Sequence, residues 1–413
     1  MQKTRILDLG PTCSTLKGIA MLSDVHRAIV KSTVPLLESG GEALTTHFYK
    51  MLMRDYPQVI PLFNKAHQGS GDQQRALANG VLMYARHIDQ LEQLGGLVTT
   101  IINKHVALQI QPEHYPMVGD CLLRAIREVL GAEIATDQVI EAWGAAYGQL
   151  AEILIGAEEG IYQATEKADG GWRGLRKFVV VRRVDESEEI TSFYFAPEDG
   201  KAILEYHPGQ YIGLCVTVDG EEMRRQYSLS AAPNSKMYRI SVKREPNGKV
   251  SNFLHDHMTV GKQIDLMPPS GEFTLTQSER PLVLISGGVG ITPMLAMLDA
   301  ALPGKRPVVF IHAARHGGVH AFGKKIADLA QEHPQLQHFF CYEQTREQDP
   351  APHATGYLDR DKLSRWLPES MDVDAYFVGP KSFMKAVKRH LHELGVPAAQ
   401  ARYEFFGPAS SLD

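Results

Sequence analysis

The amino-acid sequence predicts three structural parts: an all-α domain, a small antiparallel β-barrel, and an α/β domain built on a parallel sheet. Apolar residues recur at helical spacing up to residue 166, and the period changes to two after a glycine-rich stretch at 168–174. Beyond Pro281, short apolar strands alternate with helical stretches, as in parallel sheets. The predicted domains are 21–166, 173–280 and 281–408, preceded by a disordered extension at 1–20.

The composition is that of a soluble protein that handles small molecules. Hydrophobic residues make up 44% and charged residues 22% of the 413-residue chain, and no run of roughly eighteen apolar residues offers a membrane span. A formal net charge of -5 argues against a broad nucleic-acid or membrane surface. The four cysteines lie far apart without a Cys-x-x-Cys pattern, so we expect no zinc site or iron–sulfur cluster, and a reducing, cytoplasmic location.

The first domain is predicted to hold seven or eight helices. One apolar stripe runs through Leu94, Leu97, Ile101, His105 and Leu108, and a second runs through Val139, Trp143, Tyr147, Leu150 and Leu154. Glycine and proline predict the helix breaks, at 40–41, 57, 61, 69–71, 95–96 and 112–116. His105 is a polar residue on an apolar stripe, which makes it a candidate functional residue.

A pentapeptide in the predicted barrel, Arg225-Gln226-Tyr227-Ser228-Leu229, has the residue types that bind a flavin. Its cation suits a pyrophosphate, its polar groups suit the isoalloxazine edge, and its tyrosine offers an aromatic wall. The alternative is an exposed strand with an ordinary Arg–Tyr pair. Two neighbouring runs favour the flavin, since the second presents backbone amides and a hydroxyl at a helix start: Pro208-Gly209-Gln210-Tyr211 and Gly248-Lys249-Val250-Ser251-Asn252.

A glycine-rich loop follows the first strand of the predicted parallel sheet. Gly287, Gly288 and Gly290 let the backbone approach a pyrophosphate closely, and Thr292-Pro293 is predicted to be the N-cap and first turn of the next helix. The alternative is a plain strand-to-helix turn, because the Gly-x-Gly-x-x-Gly fingerprint is absent. The flavin motif upstream favours binding of a nicotinamide dinucleotide by the whole run, including Val289 and Ile291.

With both motifs in place, residues 173–408 resemble the ferredoxin-reductase-like flavoprotein module. The resemblance implies that the Arg-x-Tyr-Ser strand binds FAD and that the glycine loop binds NADH or NADPH. Relatives carry Cys-Gly-Pro beside the nicotinamide, where this chain has Val378-Gly379-Pro380, and the resemblance implies Phe406 as the cover of the flavin. Ala313-Ala314-Arg315-His316 offers a contact for a 2′-phosphate without a clear acidic alternative, so the choice between NADH and NADPH stays open.

A haem acceptor in the first domain is predicted around His105. The plain reading of this histidine is a core residue bonded to a backbone carbonyl. A haem pocket needs a neutral imidazole on one side, an aromatic wall, and hydrogen-bond donors for O2. Tyr49, Phe63, Gln73 and Leu77 would supply wall and donors from consecutive helices, although Tyr49, Phe63 and Leu77 could instead be plain core.

These residues, together with Asn103-Lys104-His105 and the run 110–116, resemble the globin domain of flavohaemoglobins, as does the order of the three domains. The resemblance covers about Met21 to Pro408 and predicts Met21 as the true start. It implies roles for individual residues: His105 as the proximal iron ligand, Phe63 on the porphyrin, Tyr49 and Gln73 facing bound O2, Leu77 narrowing the distal pocket, and Lys104 between haem and flavin.

The carboxylate expected beside the proximal histidine falls on a glycine. Relatives place a Glu immediately before an Ile/Leu-Tyr pair, where it bonds the proximal His together with a Tyr; here Gly160 precedes Ile161-Tyr162, while Tyr115 is retained. We therefore expect Glu159 to substitute, although one helical residue turns its side chain by about 100°. Loss of such a partner lowers activity by about 10–100-fold.

The resemblance implies nitric oxide dioxygenase activity. Hydride passes from NADH or NADPH to FAD, single electrons reduce haem b, and NO reacts with bound O2 to give nitrate, which makes the flavin a two-to-one electron converter. A cytoplasmic monomer without nucleic-acid partners or a transmembrane segment is expected. Two alternatives stay open: a gas-sensing globin whose reductase only keeps iron ferrous, and a flavin reductase whose helical half is an interaction domain.

Overall fold

The computed structural model describes residues 22–63, 71–406 and Leu412, without the side chains of Asp72 and Gln73. The chain forms two compact units, Met1–Lys167 and Ala168–Asp413. The predicted extension at 1–20 lies outside the described residues. Within these residues, no helix combines the length and apolarity needed to cross a membrane.

The described part of the first unit is all-α. Its helices are α1 (Asp24–Ser32), α2 (Val34–Asp55), α3 (Asp72–Arg86), α4 (Gly95–Leu108), α5 (His114–Leu130) and α6 (Asp137–Lys167), with 3-10 helices at Pro57–Leu62 and Leu91–Leu94. Local chemistry sets their ends: the Ser23 hydroxyl accepts from the His26 amide to start α1, and Gln109 ends α4 in the left-handed region at φ 58°.

The predicted helix break at Gly40-Gly41 is wrong, because α2 runs through both glycines. A glycine inside a helix costs about 1 kcal/mol relative to alanine. Packing outweighs this cost, since Leu44 and Phe48 of α2 are buried and a Cβ on Gly41 would lie 3.5 Å from Ala78 of α3. Gly95-Gly96, by contrast, opens α4 directly after a 3-10 helix.

Apolar side chains of this unit meet in a large core and a smaller one. The large core includes Phe48, Leu52, Ile126 and Trp143. The smaller core joins α4, α5 and α6 through Ile102, Val106, Tyr115, Leu154 and Tyr162. It fixes α4, the helix that carries His105, against α6.

The antiparallel part of the second unit closes into a barrel. Its strands are β1 (Arg176–Asp185), β2 (Ile190–Pro197), β3 (Tyr211–Val218), β4 (Glu221–Ser228), β5 (Tyr238–Lys243) and β6 (Gln263–Leu266), and α7 (Lys249–His257) follows β5. The strands pair in the order β4-β3-β6-β1-β2-β5, and a bridge between Leu229 and Ile240 joins the two ends. Phe178, Phe193 and Tyr238 are fully buried inside.

The rest of the second unit is a parallel sheet flanked by helices, which confirms the predicted fold class. The strands are β7 (Leu282–Gly287), β8 (Val308–Ala314), β9 (Leu336–Tyr342), β10 (Ala354–Thr355), β11 (Asp374–Val378) and β12 (Ala401–Tyr403). The main helices are α8 (Ile291–Ala301), α9 (Gly323–Glu332), α10 (Arg360–Trp366) and α11 (Lys381–Glu393). In the order β10-β9-β8-β7-β11-β12, the carboxyl ends of β8, β7 and β11 lie side by side, where such sheets bind ligands.

Candidate functional site

His105 is held on one ring nitrogen by a buried carboxylate. Its Nδ1 lies 2.8 Å from Glu158 Oε1 and 3.1 Å from Tyr115 Oη, and the Tyr115 hydroxyl donates to the same Glu158 oxygen at 2.6 Å. Burial and the Glu158 carboxylate hold the pKa of Tyr115 far above its usual value, so this phenol remains a donor. A carboxylate only accepts, which places the His105 proton on Nδ1 and leaves the Nε2 lone pair for a metal.

This arrangement fits the proximal ligand of a haem. The His105 side chain is 31% exposed whereas that of Glu158 is 3% exposed, so the ring remains accessible while its anchor is buried. Metal-bound histidines commonly donate their second ring N–H to a carboxylate, which fixes the ring and raises its basicity. Geometry and donor chemistry therefore both favour iron binding at Nε2.

Glu158, not Glu159, supplies the carboxylate, so the expectation for Glu159 is wrong. Glu159 Oε1 instead accepts from Gln163 Nε2 at 2.9 Å. Leu154, Glu158 and Tyr162 are all buried, because residues four apart share one face of α6. The signal in the sequence was a Glu on this apolar stripe, four residues before Tyr162. Gly160 is exposed on α6 and is not where the carboxylate is needed.

Tyr162 is a second residue that the sequence did not single out. It is 3% exposed, and its hydroxyl donates to the Ile110 carbonyl oxygen at 2.8 Å. Ile110 follows the end of α4, and its backbone N–H donates to the His105 carbonyl oxygen at 3.0 Å. Tyr162 thus ties α6 to the turn that ends the histidine's own helix.

Two residues of the predicted haem-pocket wall, Tyr49 and Phe63, are in contact in the structure. Tyr49 and Phe63 meet edge to face with ring centroids 5.7 Å apart, and both pack on the large core, as does Leu77. Burial raises the pKa of Tyr49 above its usual value, so its hydroxyl stays protonated. Among the described residues none offers that hydroxyl a hydrogen bond, which fits a donor reserved for a ligand. The Gln73 side chain lies outside the described residues.

Lys104 precedes His105 on α4 and is half-buried. Its place between haem and flavin stays a prediction.

Arg225 on β4 is a half-buried cation suited to a phosphate. Its Nη1 donates to the Arg224 carbonyl oxygen at 2.7 Å, and within the described part of the chain no carboxylate pairs with it. Burial lowers the pKa of Arg225 and raises that of Tyr227, two residues on along the same face. A buried guanidinium without an acidic partner fits the pyrophosphate of a flavin dinucleotide.

The other predicted flavin residues lie around this strand. Across β3, Tyr211 pairs with Ser228, and Gly213 pairs with Gln226. Gly248 precedes α7, and the Ser251 hydroxyl donates to its carbonyl oxygen at 3.2 Å, so this hydroxyl closes the turn. A Cβ on Gly248 would lie 2.3 Å from Ser251 Oγ. The turn therefore requires glycine, and Val250 is buried beneath it.

Phe406, the predicted cover of the flavin, is 48% exposed. The aromatic before it, Phe405, packs on the core of the parallel sheet and meets Tyr403 edge to face at 5.7 Å. The packing of Phe405 leaves Phe406 as the aromatic with accessible surface, which fits a cover residue.

The glycine loop after β7 has the geometry of a dinucleotide site. Gly288 has φ 54° and nothing within 4 Å of an added Cβ, whereas a Cβ on Gly290 would lie 2.2 Å from the Val378 carbonyl oxygen. The first glycine leaves open space for a ligand, and the second permits close packing on β11. Ile291 and Pro293 are buried in the first turn of α8.

The expectation that Thr292 caps this helix is wrong. The helix begins two residues earlier, with Gly290 at the N-cap position, and the Thr292 hydroxyl donates to the Val289 carbonyl oxygen at 3.1 Å. A 3-10 helix at Gly288–Gly290 leads directly into α8, so the helical backbone is already established before Thr292.

Val378, at the position where the family resemblance led us to expect a cysteine, is fully buried. It belongs to the core below the loop, together with Leu284 and Met294. Gly379 follows, and a Cβ there would lie 2.6 Å from the Phe383 ring; Pro380 then takes the N-cap position of α11. This valine therefore packs the floor of the loop.

Three family models match the chain: globin over residues 46–154, oxidoreductase FAD-binding domain over 177–275, and oxidoreductase NAD-binding domain over 284–389. These matches confirm the predicted cofactor set at the level of the domains that carry it.

Relatives match this chain over nearly its whole length. A flavohemoprotein from Burkholderia sp. (strain TH2) is 70% identical over 393 residues, covering 95% of this chain and 100% of the relative. One from Pseudomonas aeruginosa is 64% identical with the same coverage. A solved flavohemoglobin from Malassezia yamatoensis, with bound FAD and heme, is 27% identical and covers 94% of this chain and 100% of its own, with a TM-score of 0.82.

A solved FAD/NAD-binding domain matches the second unit. It belongs to the nitric oxide dioxygenase of Vibrio cholerae and is 39% identical, with a TM-score of 0.53. The match covers 57% of this chain and 100% of that chain.

Proposed function

Because the chain belongs to the flavohemoprotein family, we propose that it is a nitric oxide dioxygenase driven by NADH or NADPH. A globin, an FAD-binding and an NAD-binding domain in one chain make it an oxidoreductase that carries nicotinamide electrons to haem. The solved domain from Vibrio cholerae belongs to a protein named nitric oxide dioxygenase, and this name supports the proposed reaction. A cytoplasmic monomer that acts on O2 and NO completes the proposal.

One observation carries the proposal: the Glu158 carboxylate bonds to Nδ1 of His105 at 2.8 Å. When bound, FAD supplies two-to-one electron conversion, and haem supplies a redox-active iron with room for O2. A neutral backbone carbonyl would merely orient the ring. An ionised partner also makes the imidazole a stronger electron donor, as the reductive activation of O2 requires and simple gas storage does not.

Tyr115 holds the Glu158 carboxylate in position. Its hydroxyl donates to the Oε1 atom that faces His105, at 2.6 Å, and so fixes the carboxylate in place. The Tyr147 hydroxyl in turn donates to the Tyr115 carbonyl oxygen at 2.6 Å. The Tyr115 hydroxyl and the Glu158 carboxylate thus form a network that ends at the proton on His105 Nδ1, while Tyr147 contacts the Tyr115 backbone and not the carboxylate.

The residues predicted to line the haem pocket supply apolar surface and a hydrogen-bond donor. Phe63 packs edge to face on Tyr49, Leu77 packs on the same core, and the Tyr49 phenol remains protonated because burial raises its pKa. A hydroxyl held in an apolar wall favours a polarised diatomic ligand over a neutral one. O2 and NO are small, so the pocket needs few other contacts.

The second unit supplies electrons. Arg225 offers its half-buried charge to the flavin pyrophosphate. The loop at Gly288 presents backbone N–H groups at the start of α8, where the helix dipole favours an anion. These two sites lie on adjoining parts of one compact unit, as hydride transfer between their ligands requires.

The proposal is tested by stopped-flow measurement of NO consumption by the purified, haem- and FAD-loaded protein in air with excess NADH. We expect many equivalents of NO to disappear per protein molecule and nitrate to accumulate. Loss of a single equivalent would identify a gas sensor instead, and no loss with continued NADH oxidation would identify a flavin reductase. The carboxylate expected at Gly160 is supplied by Glu158, which favours the dioxygenase over the gas sensor.

A further inference from the structure

The residue that follows β8 lies at the expected position of the nucleotide's adenosine ribose. Gly287 pairs with Ala313 across β7 and β8, so Arg315 lies two residues beyond that row. This places its backbone about 7 Å further along the strand direction and about 4.8 Å to the side of Gly287. In dinucleotide-binding sheets, residues at this corner meet the ribose 2′-hydroxyl or the 2′-phosphate.

Arg315 is paired with a glutamate from the barrel. Its Nη2 lies 2.5 Å from Glu189 Oε2, and the side chains are 57% and 17% exposed. Beside it, Arg346 Nη1 donates to Glu188 Oε1 at 2.8 Å. Both glutamates belong to the turn between β1 and β2, so two carboxylates from the flavin part reach the nucleotide edge of the parallel sheet.

The backbone fixes this turn in place. The Glu188 N–H donates to the Gly318 carbonyl oxygen at 3.0 Å, and the Glu189 carbonyl oxygen accepts from the Arg244 N–H at 2.7 Å. A Cβ on Gly318 would lie 2.0 Å from Glu188 Oε1, so the turn sits directly on the loop after β8. Backbone hydrogen bonds therefore hold both glutamates at the corner, with the Glu189 side chain 17% and the Glu188 side chain 51% exposed.

We propose that Glu189 determines the choice between NADH and NADPH, by neutralising Arg315 and repelling a 2′-phosphate. This rests on the proposed use of a nicotinamide dinucleotide. A phosphomonoester carries about two negative charges, which two adjacent carboxylates disfavour. A ribose 2′-hydroxyl is neutral and can donate to a carboxylate. NADH is therefore the preferred donor, although an arginine stands at the corner.

The test compares Glu189→Gln with Glu332→Gln in the haem- and FAD-loaded protein. Glu332 ends α9 at the opposite edge of the sheet and is exposed, so its substitution makes the same charge change away from the corner. Anaerobic stopped-flow measures the second-order rate of flavin reduction by each nucleotide. We expect Glu189→Gln to raise the NADPH/NADH rate ratio about tenfold, which corresponds to about 1.4 kcal/mol, and Glu332→Gln to leave it unchanged.

A second substitution shows whether Arg315 receives the phosphate. Adding Arg315→Gln to Glu189→Gln should abolish the gained preference. Equal rate changes for both nucleotides, or the same ratio in Glu189→Gln and Glu332→Gln, would overturn the proposal. So would a gain that survives the loss of Arg315.

Calorimetric titration provides a readout without electron transfer. Adenosine 2′,5′-bisphosphate should bind Glu189→Gln more tightly than the unsubstituted protein by about tenfold, while adenosine 5′-monophosphate should bind both alike. Absence of binding, or parallel changes for both ligands, would contradict the inference. Because neither ligand reacts, failure of NO turnover would remove the proposed function without affecting this result.

Discussion

Histidines in the two units have different hydrogen-bond partners: a carboxylate in the first unit and hydroxyl groups in the second. In the first, His105 meets an ionised acceptor, the Glu158 carboxylate. In the second, His312 and His320 stack with ring centroids 4.4 Å apart, and their Nδ1 atoms meet hydroxyl groups at 2.8 Å, those of Ser286 and Tyr342. Burial holds the pKa of His312 well below its usual value and lowers that of His320 to about 4.

The difference shows how a partner decides what an imidazole does. A carboxylate that accepts the ring N–H makes the imidazole a stronger electron donor to a metal. A hydroxyl partner in an apolar core leaves the imidazole neutral, because burial disfavours its charged form. His105 also keeps 31% of its side chain exposed, but His320 is 8% exposed. The accessible ring of His105 suits ligand binding, whereas the stacked pair is buried in the parallel-sheet part of the second unit.

The largest expected effect is loss of stability of the second unit in acid. Unfolded His320 binds a proton near pH 6.5, but the folded unit binds it only near pH 4. The unfolded state therefore holds more protons in this window, so stability is fully present above it and falls by about 3 kcal/mol as pH drops through it. Urea unfolding between pH 4 and 7.5, followed by flavin release, measures the slope.

A matched pair of substitutions isolates the stacked histidine. His320→Gln should flatten the slope by up to one proton, while His392→Gln, an exposed residue of α11, should leave it unchanged. Equal slopes in all three proteins would show that the stack does not control acid stability.

Replacing the carboxylate partner of His105 by a neutral one, as the buried histidines of the second unit have, should lower NO turnover. Glu158→Gln keeps the acceptor oxygen but removes its charge, so we expect NO turnover to fall by about 10–100-fold. Flavin reduction by NADH should stay unchanged, because Glu158 belongs to the globin unit. The iron–histidine stretch in resonance Raman spectra should shift to lower frequency. Full turnover with an unshifted stretch would separate the carboxylate from catalysis.

Tyr115→Phe tests a smaller contribution to the same network. The variant removes one donor to Glu158 and leaves His105 in place, so a loss of about 1 kcal/mol, roughly fivefold in NO turnover, is expected. Tyr147→Phe is the control, because that hydroxyl donates to the Tyr115 backbone and not to the carboxylate. An equal loss in both variants would indicate general loosening of the helices.

Much of the fold could be predicted from the sequence, because periodicity reports which face of an element is buried. The change from helical to alternating spacing and the apolar runs of β7, β8 and β11 are local signals. The continuity of α2 through Gly40-Gly41 was not predictable in this way, since the packing of Gly41 on Ala78 of α3 depends on tertiary structure.

The candidate site residues likewise divide into those set by local sequence and those that depend on tertiary contacts. Residues within a motif, such as Arg225 and Gly288, were found because the loop or strand itself sets their geometry. The pair of Arg315 and Glu189 joins residues 126 apart in sequence, and only the docking of one turn on another brings them together. Sequence spacing carries no signal for such a contact.

Glu159 is the residue for which the smallest effect is expected. It neighbours Glu158 in sequence, but one helical step turns its side chain by about 100°, and its carboxylate bonds Gln163. Glu159→Ala should therefore leave NO turnover and the iron–histidine stretch within experimental error of the unsubstituted protein. A loss comparable to that of Glu158→Gln would mean that negative charge anywhere on this part of α6 supports the histidine. An unchanged rate would instead show that one oxygen atom at 2.8 Å from Nδ1 sets the difference between the two kinds of histidine in this chain.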